Sequence, residues 1–282
     1  MSATAHAPAL REVPGPSALA GGPRRFFTLT WLLSTTEFKA NYFGTALGYV
    51  WSVMRPLLLF GVLYTVFTKI FRFGDQIPHY GALLLFNIML YQFFGEATSQ
   101  SVACVVRNES IVRKTQFPRL VIPLSVVLTN FFNLCLNVVL VFVILVATGV
   151  DPKVTWLALP LIVALLVILS TGVSILLSAL YVRFRDVAQI WGVMTLVIFY
   201  GSPLLYPVEK VPHSLRFLLF INPFAPLFEE ARRLLVDPTA PSIVDAAGSA
   251  LGIVGPAAVT VGLCALGLWL FTRDAPRIAE EL

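Results

Sequence analysis

Long uncharged apolar runs, separated by short charged loops, set the pattern of this chain. A helix needs about 20 mainly apolar residues to cross a bilayer. Residues 120–150, 154–182 and 246–272 contain no Asp, Glu, Lys or Arg, and 187–208 is shorter but long enough. Residues 44–68 are interrupted only by Arg55, and 80–106 only by Glu96. The pattern predicts an all-α polytopic membrane protein with six transmembrane helices. A seventh apolar piece, 217–228, has only 12 residues and contains Pro223 and Pro226. It reads as part of short re-entrant outer helices between spans five and six, amphipathic and broken at Asn222-Pro223.

Ahead of the first span, residues 1–23 are rich in Ala, Pro and Gly and lack the apolar core and cleavage pattern of a signal peptide. They are expected to form a flexible cytoplasmic tail on a single transmembrane domain, 24–282, with the first span acting as the insertion signal. Residues 26–43 mix polar and apolar positions. On a helix Phe27, Trp31, Phe38 and Tyr42 share one face. With basic flanks, this predicts an amphipathic helix at the membrane surface. A wet lead-in to the first span is the plainer alternative. Gly44 and Gly48 have the spacing of a close helix approach, or of a bend.

Composition sharpens this picture. Of 282 residues 57% are apolar and 12% charged, where a soluble domain carries roughly a quarter charged. The net charge of +5 is distributed by loop, as orientation signals are, and does not indicate nucleic-acid binding. With the N-terminus inside, the inner segments hold 12 basic and seven acidic residues and the outer segments seven of each. Six spans then leave both termini in the cytoplasm. Cys104, Cys135 and Cys264 lie far apart in apolar runs, so each reads as a small buried hydrophobe rather than a disulfide or metal ligand.

Two ionisable residues interrupt the spans. Arg55 lies near the inner end of its span, beside Pro56, where its side chain reaches the headgroups or a substrate phosphate. Glu96 lies well inside its span and must face protein or water, with Arg55, bundle polar groups or a proton as its partner. The loop 107–119 carries a net charge of +3. Within it, 108–115 suits a two-turn helix with apolar Ile111 and Val112 beside a basic face. That combination fits docking on a cytoplasmic partner. The chain has no GxxxxGK[ST], HExxH or GxSxG motif, hence no predicted catalytic residues, metal site or ATP site of its own.

In this order, LGYVWSVMRP (47–56), YQFFGE (91–96), NESIVRK (108–114) with FPR (117–119), VRFRD (182–186) and NPF (222–224) resemble the permeases of ABC-2-type exporters. The match is to the polysaccharide and polyol-phosphate group, the Wzm-like O-antigen, galactan and teichoic acid permeases. The resemblance covers roughly 26–275. It implies a homodimer in a bacterial inner membrane, each copy bound to an ABC ATPase subunit that holds ATP and Mg. It also implies a continuous channel for a lipid-linked glycan. Carried onto this sequence, 26–43 is the interface helix. Asn108, Glu109, Ser110, Ile111, Val112, Arg113 and Lys114 form the coupling helix on the ATPase, and 208–236 the outer helices that close the exit. Sugars stack on aromatic rings, so Trp51, Tyr64, Phe67, Phe199 and Tyr200 join Arg55 and Glu96 as channel-lining candidates. The competing expectations are an ABC-2 exporter of a small drug or lipid, an ion-coupled carrier, and a membrane-embedded sugar transferase.

Overall fold

A computed structural model describes residues 22–43, 48–72, 77, 79–110, 117–147, 149–240, 242, 245 and 251–275. Every element among them is helical: α1 (Pro23–Phe43), α2 (Gly48–Thr65) running into a π turn (Val66–Ile70), α3 (Tyr80–Val102), α4 (Cys104–Arg107), α5 (Val121–Ala147), α6 (Leu159–Arg183), α7 (Val187–Gly201), α8 (Phe224–Leu235) and α9 (Leu251–Asp274). Short 3-10 segments precede α6 and link α7 to α8.

Among the described residues, four stretches are long and apolar enough to cross a membrane: Val50–Ile70, Val121–Ala147, Val154–Arg183 and Gly252–Asp274. Two of the six expected spans differ. The stretch 187–208 does not form one helix. α7 stops after 15 residues at Gly201, about 22 Å at 1.5 Å per residue. Pro203 and Pro207 follow, and a proline ring has no N–H to continue the ladder. The stretch 80–106 is broken at Ala103 into α3 and α4. α3 carries Asn87, Gln92, Glu96 and Gln100 and is the helix most enclosed by protein, with all of 82–91 buried.

That enclosure explains how irregular backbone sits beside α7. Non-helical chain within a membrane needs protein partners for its carbonyl groups. The Tyr80 hydroxyl donates to the Leu205 carbonyl at 2.7 Å, and Asn87 Nδ2 to the Leu204 carbonyl at 3.4 Å. The Tyr91 hydroxyl donates to the Thr195 carbonyl within α7. α3 thus holds both α7 and the segment after it.

Helix α1 lies along α5. Its aromatic face meets that helix: Trp31 and Phe38 pack edge-on against Phe132, at 5.4 and 5.7 Å. The Tyr42 hydroxyl donates to Asn133 Oδ1 at 2.6 Å. Phe27 remains exposed. Deeper in the seam, Ser34 donates to the Ser125 carbonyl at 3.2 Å, and Thr129 to the Ser34 carbonyl at 3.2 Å.

The last helix, α9, is seated on α6 through small residues. A Cβ on Gly172 would lie 2.5 Å from Cys264 Sγ, and one on Gly267 2.7 Å from the Gly172 carbonyl oxygen. Of the cysteines, Cys104 is buried as expected, but Cys135 is exposed and Cys264 only half-buried. Cys135 faces an apolar groove on the α5 surface, where a small thiol is at home among hydrocarbon.

Candidate functional site

The two ionisable residues inside the apolar runs meet. α2 and α3 bring Arg55 Nη1 to 3.6 Å from Glu96 Oε1, and Gln92, one turn earlier on α3, donates its amide to the same oxygen at 2.9 Å. The pair is loose and open: the Arg55 side chain is 77% exposed and that of Glu96 32%. An exposed ion pair of this kind contributes little to stability. Arg55→Ala is therefore expected to change stability by less than about 1 kcal/mol, read as an almost unchanged melting temperature in detergent. A large drop would show that Arg55 holds the fold.

Two cavities share Arg55, Gln92 and Glu96 as their common wall. The larger, about 590 Å³, lies between α2, α3 and α7 and is lined by Tyr91, Ser99, Gln100, Thr195, Phe199 and Tyr200 among others. The smaller, about 400 Å³, is lined by Asn41, Tyr42, Trp51, Ser52 and Asn133. Trp51, Arg55, Glu96, Phe199 and Tyr200 are thus gathered into one crevice system, with Tyr42 of the aromatic face of α1. Phe199 is wedged between Tyr91 at 5.0 Å and Tyr200 at 5.1 Å, and Tyr200 itself is exposed. Tyr64 and Phe67 line neither cavity. Tyr64 stacks on Phe60 at 5.3 Å and Phe67 on Phe71 at 5.2 Å.

The residues missed by sequence reading are the neutral polar ones. Gln92, Ser99, Gln100, Asn133 and Thr195 offer amides and hydroxyls that both donate and accept. Gln100 is oriented by Asn130, which donates to its Oε1 at 3.0 Å. A signal for three of them was present, since Gln92, Glu96, Ser99 and Gln100 recur at helical spacing on an otherwise apolar helix. Chemically, the crevice combines hydrogen-bonding groups, aromatic faces and one loose charge pair in a wall otherwise made of hydrocarbon.

A second polar cluster sits on the segment between α7 and α9. Arg232 Nη1 lies 3.0 Å from Glu209 and 3.0 Å from Glu229, and Nη2 3.5 Å from Asp237. Glu229 is 2% exposed, so α8 is not simply seated on a surface. One face of it, with Phe224, Phe228 and Leu235, is buried under the bundle. Burial pushes the Glu229 carboxyl up to about 7 despite the opposing pull of Arg232. Asn222 ties this segment back to the end of α7, donating to Ser202 Oγ at 3.0 Å and accepting from the Phe224 amide at 2.9 Å.

The proposed coupling segment is only partly visible. Asn108 caps α4, its amide donating to the Cys104 carbonyl at 2.9 Å, and Glu109 and Ser110 are helical. Ile111, Val112, Arg113 and Lys114 lie outside the described residues.

Comparison with known proteins gives the arrangement a family. The chain is 32% identical over 214 residues to an O-antigen export system permease protein RfbA of Klebsiella pneumoniae, covering 76% of this chain and 82% of that protein. A second Klebsiella pneumoniae protein of the same name is 30% identical over 212 residues, 75% of this chain and 81% of its own length. The Myxococcus xanthus protein of that name is 26% identical over 248 residues, covering 87% and 92%. The profile of the ABC-2 type transporter family matches residues 28–236, and the chain belongs to that family.

Proposed function

We propose that this chain is the permease subunit of an ATP-driven exporter that moves a lipid-linked polysaccharide, of O-antigen, galactan or teichoic-acid type, out of the cytoplasm. The observation that carries the reading is the crevice between α2, α3 and α7. It places amides, hydroxyls, aromatic rings and the Arg55–Glu96 pair along helices that are otherwise hydrocarbon. Glycan hydroxyls need donors and acceptors in place of water, and their C–H faces pack on rings such as Trp51 and Tyr200. The relatives named for O-antigen export support the same substrate class.

Two copies complete the path in this reading. Leu58, Leu59 and Val62 on α2, with Ile190, Val193 and Val197 on α7, are large, apolar and exposed on the helices that border the crevice. A second copy across this face encloses the crevice as a channel. The arrangement proposed is six-spanning: α3 crosses enclosed by protein, and α7 crosses with the segment that α3 holds behind it. Both termini lie in the cytoplasm of a bacterial inner membrane. α1 is the interface helix, and the segment between α7 and α9 forms the outer closure. The chain itself carries out no chemistry. ATP and Mg belong to a partner ABC ATPase that seats on residues 108–114.

The test is co-purification. The chain is expressed with the ATPase encoded nearest to it and captured by a tag on this chain alone. Stoichiometric ATPase is expected, with at least a tenfold loss when Ile111, Val112 and Arg113 are changed to alanine. If no ATPase is retained in mild detergent while the chain remains folded, the ATP-driven reading fails and an ion-coupled role for Glu96 becomes the next to examine. With the complex in hand, Arg55→Gln is expected to lower glycan export at least fivefold without loss of folded protein. Unchanged export would remove the crevice from the path.

A further inference from the structure

A cavity of about 840 Å³, larger than either part of the crevice, lies on another side of α3. On α3 Phe86 lines it, whereas Ile88, Gln92, Gly95 and Glu96 line the crevice. At about 100° per residue, these four stand roughly 180–280° around the helix from Phe86. The cavity is a groove between α5 and α6, with Phe26, Phe27 and Thr30 of α1 at one end. On α5 its wall runs from Leu124 to Phe142, about 27 Å of helix. Among the described residues, no Asp, Glu, Lys or Arg lines it. At the α1 end, exposed Arg24 and Arg25 immediately precede the lining residues Phe26 and Phe27.

We infer that this groove binds an anionic glycerophospholipid of the cytoplasmic leaflet, its phosphate on Arg24 and Arg25 and an acyl chain along α5. The assignment of leaflet rests on the inside placement of the N-terminus proposed above. Charge complementarity selects an anionic head. Two guanidinium groups stand on the first turn of α1, and the N-terminal end of a helix dipole adds positive potential there. Depth selects the chain. One leaflet is about 15 Å deep, half of a 30 Å core, so an acyl chain fills the groove from Leu124 to about Leu134. The occupant also completes the seat of α1. Phe27 is 70% exposed, and the hydroxyl bonds described between α1 and α5 begin at Ser34, two turns further on. A lipid in the groove covers that ring and sets the height of the first turns of α1, the helix proposed to lie at the membrane surface.

The full-length chain, purified in detergent without any ATPase, is mixed with equimolar phosphatidylglycerol and phosphatidylcholine and examined by native mass spectrometry. One phosphatidylglycerol per chain is expected to be retained, favoured at least tenfold over phosphatidylcholine. Arg24→Gln with Arg25→Gln is expected to abolish the preference. Leu128→Trp, which fills the inner half of the groove, is expected to remove the bound lipid, and Ala164→Trp in the outer half to leave it. Preference that survives in the arginine variant overturns the site. So does lipid retained by a folded Leu128→Trp protein, because the arginines then act as a surface charge only. Loss of lipid on Ala164→Trp overturns the placement, since the acyl chain would then not be confined to the inner half of the groove. Should Leu128→Trp not fold, the exposed arginine pair decides the matter by itself. Because no ATPase is present, failure here is separate from failure of the exporter reading.

Discussion

Arg232→Met is expected to destabilise the chain by about 3–5 kcal/mol at pH 8, the largest effect of any single substitution considered. Removing one member of a buried ion pair leaves the other charged without compensation. Here the abandoned group is Glu229, 2% exposed and held 3.0 Å from the arginine. Glu209 and Asp237 also lose a partner, but they are better exposed, so water takes up most of their loss. The effect carries a pH signature. Burial already lifts the Glu229 carboxyl from an ordinary 4.5 to about 7. The folded state therefore binds a proton more tightly than the unfolded state. The stability this group contributes is fully present below about 4.5 and is lost as pH rises towards 7. Without Arg232 the carboxyl rises further, so the deficit of the variant shrinks as pH falls from 8 to 5. Glu229→Gln in the same chain is expected to recover most of the loss and to flatten the pH dependence. Thermal unfolding in detergent at pH 5 and pH 8 measures all of this. An Arg232→Met protein as stable as the parent at pH 8, or a double variant no better than the single one, would sink the account.

Gly267→Val is expected to cost about 3 kcal/mol and to loosen α9 from α6. The added Cβ would lie 2.7 Å from the Gly172 carbonyl oxygen and 3.1 Å from the Leu176 amide nitrogen. Both are backbone atoms of a regular helix and have no rotamer to change. The helices must separate, and every contact along the seam weakens together. Small residues at a crossing let two membrane helices approach closely enough for dispersion to hold them. Gly262 on the same helix provides the control, because a Cβ there meets nothing within 4 Å. Gly262→Ala is expected to be neutral or slightly stabilising, since alanine has the better helix propensity. Equal behaviour of the two variants in a thermal unfolding series would show that α9 is not seated through Gly267.

The helical class of the chain was legible in its hydropathy, because the free energy of placing a segment in lipid is a local sum over its own residues. The aromatic face of α1 was legible for the same reason. Phe27, Trp31, Phe38 and Tyr42 lie on one side by helical period; Trp31, Phe38 and Tyr42 meet α5 itself, and Phe27 lines its groove. The crevice was legible only in outline. Arg55 and Glu96 stood out as charges within apolar runs, but the neutral Gln92, Ser99 and Gln100 beside them did not, because a single amide barely changes a hydropathy sum. Tyr64 and Phe67 were drawn in by their aromatic character alone, and their rings stack within α2 and the π turn that follows it.

Segment by segment, then, the amino-acid order was enough to say that this chain is helical, membrane-embedded and without a nucleotide-binding motif, and to mark where its helices begin to fail at proline. The packed structure alone decided that α7 ends at Gly201 with its trailing carbonyls held by Tyr80 and Asn87. It alone paired Arg55 with Glu96, buried Glu229 against Arg232, and set Gly267 against Gly172. Each of these joins positions on different elements or depends on burial by them. Hydropathy adds along a segment, whereas a hydrogen bond, an ion pair or a close backbone approach exists only at the distance that the packing of whole helices imposes.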